Sequence, residues 1–291
     1  MYMKGKRGRV VFEALNTRGL TPTGVVLEKN DPDLIAIVDS ASCSINICDR
    51  PNSPDHKKWI KAQAPQLIVA VGYSKILPKD ILDIPSLCAI NCHAGLLPYY
   101  RGASPIPWQI LRGETKGGAY VLKMTIGIDD GPIFASEEYE IGSEESARDI
   151  VNKVNEIFGR LIPEVVKAFS GGSEPPSKEQ SSEGACTWTR RIPSDGLIEW
   201  DKLTAREVVD LVRALDDPYP GAYTFCDKNK MIIHKAIVLP EKVCGIPGRY
   251  VGKKCGLPAI IASDRAVGLV SFSVSGKKTN EIKAPYGTDM S

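Results

Sequence analysis

Several absences bound what this 291-residue chain can be. Its eight cysteines (Cys43, Cys48, Cys88, Cys92, Cys186, Cys226, Cys244 and Cys255) form no CxxC pair and no framework spacing. That excludes a zinc ribbon and a disulfide scaffold, and makes a reduced, cytoplasmic setting the expectation. Long apolar runs are also missing. LIVAVG (67–72) is strand-length, too short to cross a bilayer, and no charged-then-apolar leader opens the sequence. Net charge is only +2, too balanced to demand a nucleic-acid partner. Histidine is scarce, with three in the chain, so each position is worth reading for chemistry.

What is present reads as alternating strands and helices. Helical spacing runs through GRVVFEALNTRGL (8–20), followed by a strand at TGVVLE (23–28). DPDLIAIVDSA (31–41) is a second helix with Asp31 or Asp33 near its cap, and SINICD (44–49) a strand. SPDHKKWIKAQ (53–63) offers a Ser cap and a Pro at the first helical position. QLIVAVGY (66–73) is almost continuously apolar, as suits a parallel strand buried on both faces. CAIN (88–91), a helix at SPIPWQILRGE (104–114) and strands at GAYVLKMT (118–125) and IFASEEYEI (133–141) follow. A long amphipathic helix with Ser143 as its cap closes this half. The pattern is that of a doubly wound, mostly parallel α/β sheet of Rossmann-like type. Its first strand is either very short, at Met1 to Met3, or cut off.

The stretch 171–184, rich in Gly, Ser, Pro and charge, reads as a linker. Beyond it lie one helix (204–217) and short β-like runs separated by turn residues, which suggest a small C-terminal β-barrel of OB-like type. The expected division is 1–184 for a catalytic domain and 185–291 for the barrel with its leading helix.

One region carries chemistry. Asn91 and His93 stand two residues apart in NCHAGLLPYYRGASP, at the end of an apolar strand, and Asp129 follows in KMTIGIDDGP. In doubly wound folds ligands lie outside the carboxyl ends of strands. An amide can donate to a developing oxyanion, an imidazole titrates near neutral pH, and a carboxylate beside it favours the cationic ring. Each has a plainer reading: a histidine after a strand is usually structural, and an Asp in a Gly-bounded turn is often a turn former. His56 reads as solvated on a charged helix face, and His234 as an ordinary strand residue. KGKRGR (4–9) lacks the Lys-Ser/Thr of a phosphate loop and reads as a solvated basic start.

These elements, in this order, resemble the folate-dependent formyltransferases: methionyl-tRNA, glycinamide ribonucleotide and sugar-nucleotide enzymes. The likeness extends to AVGYSKILPKDILDIP (70–85), TRRIPSDGLIEWDK and RALDDPYPGAYTF, and so covers most of the chain from about residue 8. The resemblance implies an N-formyltransferase of one-carbon metabolism that uses 10-formyltetrahydrofolate and no metal. It assigns Asn91, His93 and Asp129 as catalytic, and Gly72, Tyr73, Ile76 and Leu77 to the folate loop. Asp130, at a variable family position, joins the cofactor-binding set. Arg101, Gly102 and Tyr219 are expected to bind the acceptor. Whether His93 or Asp129 takes the amine proton stays open.

The acceptor is open as well. A nucleotide-linked amino sugar is the first reading, because no basic insertion follows the second strand and RALDDPYPGAYTF is similar to the sugar-nucleotide branch. Initiator methionyl-tRNA is the alternative, and a small amine such as a hydroxyornithine the third. A dead binding module fits poorly with retention of all three site residues. A formate-releasing hydrolase would share them but usually adds an amino-terminal regulatory domain, for which this chain leaves no room. No membrane partner is expected; a homodimer is possible.

Overall fold

The computed structural model describes residues 1–226, 228–279, 281–282 and 287–290. The chain forms two compact units by its internal contacts: 1–105 with 116–140 and 152–188, and 106–115 with 141–151 and 189–291.

The first unit is built on β1 (Tyr2–Met3), α1 (Gly5–Thr17), β2 (Gly24–Leu27), α2 (Pro32–Ser40), β3 (Ser44–Ile47), α3 (Pro54–Ala62), β4 (Leu67–Val71), α4 (Lys79–Leu82) and β5 (Cys88–His93). After these in the chain come β6 (Arg101–Gly102), α5 (Pro105–Leu111, almost wholly in the second unit), β7 (Lys116–Lys123), β8 (Ile133–Glu140), α6 (Ala147–Ala168, its first residues in the second unit) and β9 (Thr187–Trp188). Seven strands share one sheet in the order β3-β2-β1-β4-β5-β7-β8. The first five are parallel; β7 runs antiparallel to β5, and β8, antiparallel to β7, returns to the direction of the first five. Strand order reverses between β1 and β4, the switch point beside which such sheets hold ligands. The opening strand is the two-residue β1.

Side chains along each strand alternate between two cores, as the period of two requires. Met3, Val25 and Leu27 pack with Phe12, Leu34 and Val38 of α1 and α2. On the other face Tyr2, Val26, Ile68, Ala70 and Ala89 pack with Ile60 and Ile81 of α3 and α4. Caps fix the helix starts. Asp31 accepts from the Leu34 amide at 3.2 Å. Ser53 stands before Pro54 without a side-chain capping bond. Ser146, not Ser143, opens α6: its amide and hydroxyl each lie 2.9 Å from the Asp149 carboxylate, and its hydroxyl accepts from the Asp149 amide.

Other expectations change with burial. His56 is 2 % exposed, with Nε2 2.8 Å from the Tyr2 hydroxyl and Nδ1 2.9 Å from Asn46 Oδ1, and burial lowers its pKa. The basic start forms the first turns of α1, where Lys4 pairs with Glu28 and Arg7 donates to Asn155 and covers the Phe158 ring. The supposed linker is partly built in: Lys178 bridges Ile133, and just past its end β9 pairs with β6.

The second unit holds α7 (Ala205–Ala214), started by a capping box between Thr204 and Glu207. Its strands are β10 (Ala222–Cys226), β11 (Asn229–Val238), β12 (Tyr250–Lys254), β13 (Leu257–Ile261), β14 (Ala266–Val274) and β15 (Lys277–Thr279). They form an antiparallel sheet in the order β10-β11-β14-β13-β12, with β15 on β14. Among the described residues no pairing between β10 and β12 closes it into the expected barrel. Its core includes Trp200, Val208, Val212, Met231, Ile260, Leu269 and Phe272. His234 shares a 3.0 Å hydrogen bond with the Ser273 hydroxyl.

Candidate active site

β5 runs two residues further than CAIN suggests, so His93 as well as Asn91 lies within the strand. Being two apart, they share one face. Ala70, near the end of β4, is the register partner of Asn91. The loop 124–132, between β7 and β8, brings Asp129 back to this face.

Asp129 is the hub. Its Oδ1 accepts from Asn91 Nδ2 at 3.1 Å, and its Oδ2 lies 3.0 Å from the Gly102 amide and 3.2 Å from His93 Nδ1. Burial opposes ionisation here, since only 13 % of the side chain is exposed. The His93 ring and the three hydrogen bonds outweigh that cost and hold the carboxyl below its ordinary pKa. Asp129 also occupies the left-handed region, at φ 51°, which Asp tolerates better than most residues.

His93 is 4 % exposed, and its Nε2 lies 2.5 Å from the Tyr100 carbonyl. A carbonyl only accepts, so Nε2 carries a hydrogen. The ring is thus held between the Tyr100 carbonyl on one side and the Asp129 carboxylate on the other. The Tyr100 ring stacks on Trp188 at 5.4 Å, and Trp188 Nε1 donates to the Tyr99 carbonyl at 2.9 Å. Gly95 makes this possible. A Cβ there would come within 2.7 Å of both His93 Nε2 and the Tyr100 oxygen. At Gly102, φ is 90° and a Cβ would meet the Trp188 oxygen at 2.4 Å, so β6 and β9 can pair only around glycine.

The other expected residues divide. Arg101 donates through Nε and Nη2 to Gln180 Oε1, at 3.0 and 2.9 Å. Gly72 turns the chain after β4 at φ 66°. Tyr73 points back to the sheet, its hydroxyl donating to the Cys48 carbonyl at 3.1 Å and its ring edge-on to Tyr2. Leu77 is buried in the same core, whereas Ile76 is 79 % exposed. Ser74 fastens this loop through Glu28, which also takes the Lys4 ammonium. Asp130 receives the Thr125 hydroxyl within its own turn. Tyr219 lies in the second unit, packed against that unit's core. Residues the sequence reading missed are Gln180, Gly95, Trp188 and the Tyr100 carbonyl. Of these only Gly95, two residues past His93, carried a local signal.

No group of three or more metal-ligating side chains occurs among the described residues. A cavity of about 490 Å³ lies elsewhere, at the amino ends of the strands, lined by Gly24, Trp59, Gln63, Leu67 and Leu87 among others. Polar convergence, not concavity, distinguishes the carboxyl end of β5 as the candidate site.

Two family models match the chain: formyl transferase over residues 24–166, and the formyl transferase C-terminal domain over 191–286. The methionyl-tRNA formyltransferase of Alkaliphilus oremlandii is 33% identical over 74% of this chain and 68% of its own length. The chain belongs to the formyl transferase family. It is accordingly an N-formyltransferase. Two solved structures share the fold. One is an N-formyltransferase from Helicobacter canadensis in complex with folinic acid and dTDP-3-aminofucose, with TM-score 0.67 and 16% identity over 92% of this chain and 97% of that one. The other is HypX from Aquifex aeolicus in complex with tetrahydrofolic acid, with TM-score 0.63 and 17% identity over 86% of this chain. The chain spans 43% of HypX.

Proposed function

We propose that this enzyme moves a formyl group from 10-formyltetrahydrofolate to the primary amine of a nucleotide-linked amino sugar, with Asn91, His93 and Asp129 as its catalytic residues. The observation that carries the reading is one buried carboxylate, Asp129, joining an amide donor and an imidazole at the end of β5. The amine nitrogen attacks the formyl carbon, giving a tetrahedral intermediate. The bond to the folate nitrogen then breaks, and the proton lost by the amine ends on that nitrogen. An amide has two N–H groups, and Asn91 keeps one beyond its bond to Asp129 for the developing oxyanion. Asp129 accepts the amine proton and hands it on to the folate nitrogen, while His93 balances its charge.

The donor's flat, largely apolar rings suit exposed apolar side chains. Ile76, on the loop after β4, is 79 % exposed, and Ile126 and Ile128 in the Asp129 loop are 82 % and 49 % exposed. Arg101 keeps three of its five guanidinium N–H groups for an anionic acceptor. The sugar-nucleotide reading draws on the short connection from β2 to α2, where only four residues separate Leu27 from Pro32. We also propose 1–184 as the catalytic domain and 185–291 as the C-terminal domain, and the cytoplasm as the setting. No helix among the described residues is long and apolar enough to cross a membrane.

A second reading, initiator methionyl-tRNA as acceptor, is favoured by the named activity of the Alkaliphilus relative and by charge. Residues 222–291 carry 11 Lys and Arg against 5 Asp and Glu, net +6, while residues 1–221 are net −4. Backbone phosphates select for such a basic surface. Incubation with 10-formyltetrahydrofolate and a panel of amino-sugar nucleotides, with charged initiator tRNA as the rival, separates the two. Transfer to a sugar amine is the expected result. Transfer to the tRNA alone rejects the sugar reading.

A further inference from the structure

Gln180 lies in a stretch whose composition is that of a spacer, yet its amide is fully engaged. Nε2 donates to the backbone carbonyls of Asp129 and Gly131, each at 2.8 Å. Oε1 accepts two bonds from Arg101. All acceptors lie on one side and all donors on the other, so the amide has only one orientation that works. The same segment is pinned on both sides of Gln180. Lys178 and Ile133 exchange backbone hydrogen bonds at 2.8 and 2.9 Å. Further on, the Cys186 carbonyl accepts from the Arg101 amide, and the Trp188 carbonyl from the Ala103 amide, both at 3.0 Å. Gln180 therefore grips the loop that turns at the left-handed Asp129, and the guanidinium of Arg101, with one side chain.

We infer that Gln180 is a positioning residue for formyl transfer, which sets the Asp129 carboxylate through the backbone of its loop and the Arg101 guanidinium through its amide oxygen. The inference rests on the reading of Asp129 as part of the transfer site. Its two arms are chemically separable. A glutamate at this position still accepts from Arg101 but cannot donate to the two carbonyls, whereas an alanine gives up both arms. The Asp129 arm governs turnover, because a shift of about 1 Å in a reacting group costs on the order of 100-fold in rate. The Arg101 arm governs how well an anionic acceptor is held.

The test uses the full chain and the variants Gln180→Ala and Gln180→Glu, with steady-state transfer kinetics, thermal unfolding and carbon NMR of the Asp129 carboxyl. Gln180→Ala is expected to lower kcat by about 10- to 100-fold and to raise the acceptor KM. Gln180→Glu is expected to lower kcat while leaving that KM near the wild-type value. In both, the Asp129 carboxyl should titrate closer to the ordinary carboxylate range than in the wild type. If both variants fold and keep wild-type kcat, KM and titration, the inference is overturned. A loss accounted for wholly by the folded fraction also overturns it. Should Gln180→Ala fail to fold, Gln180→Glu, which keeps the side-chain bulk, carries the test. Because the titration needs no substrate, it judges the positioning even if the wild type transfers no formyl group, an outcome that would reject the proposed function instead.

Discussion

The two ends of the seven-stranded sheet make opposite use of the same strands. At the amino ends there is room: a cavity of about 490 Å³ whose lining includes Gly24, Gln63, Leu67 and Leu87. At the carboxyl end of β5 three polar side chains, a backbone amide and a backbone carbonyl converge on one another. The default guess for a binding site is a sizeable pocket, and here the cavity and the convergence of polar groups fall at opposite ends of the strands. The difference is in backbone and polar geometry. The carboxyl end contains a left-handed Asp129 and two glycines that no other residue could replace without a clash, features that persist only where the surroundings impose them.

That contrast can be broken by substitution at each end. The largest effect is expected for His93→Ala, which should lower kcat by about 10²- to 10⁴-fold; steady-state transfer assays read it, and full activity would remove His93 from the mechanism. Next comes Gly95→Ala. Its methyl group would wedge between His93 Nε2 and the Tyr100 carbonyl, and overpacking of this kind costs about 1–3 kcal/mol. Denaturant unfolding should show that loss together with reduced turnover.

A smaller, pH-dependent effect belongs to Asp129. Its pKa is lowered in the folded state, so its contribution to stability is present above the unfolded carboxylate value, near 4, and is lost as pH falls through the lower folded value. The stability gap between wild type and Asp129→Asn should therefore shrink only below about pH 4. A gap that is constant over this range would mean the carboxylate is not held by these partners. The smallest effect is expected at the other end: Gln63→Leu, at the cavity, should leave kcat and KM unchanged. A marked drop would reinstate the cavity as a functional site.

Much of this was legible from residue order. Continuous apolar strands such as LIVAV, the alternation of strands and helices and the two-residue spacing of Asn91 and His93 follow local rules of period, whereas Asp129 joins them only through the family resemblance. Gln180 was not legible, because its role comes from contacts 49 to 79 residues away, while its neighbours in GGSEPPSKEQSSEG carry a linker's composition. The burial of His56 was hidden in the same way, since its partners Tyr2 and Asn46 lie on separate strands. Ser143 and Ser146 are both plausible caps from sequence, and only the reciprocal bonds to Asp149 decide between them. The acceptor follows neither pattern nor fold, because a carboxylate in the proposed role suits any primary amine.

The most direct test of the hub is amine-dependent release of tetrahydrofolate from 10-formyltetrahydrofolate by wild type and by Asp129→Asn, measured on protein shown to be folded. The account predicts that the wild type releases tetrahydrofolate only when an acceptor amine is present, and that Asp129→Asn loses about 10²- to 10⁴-fold in rate. A folded Asp129→Asn enzyme that turns over at the wild-type rate would contradict it.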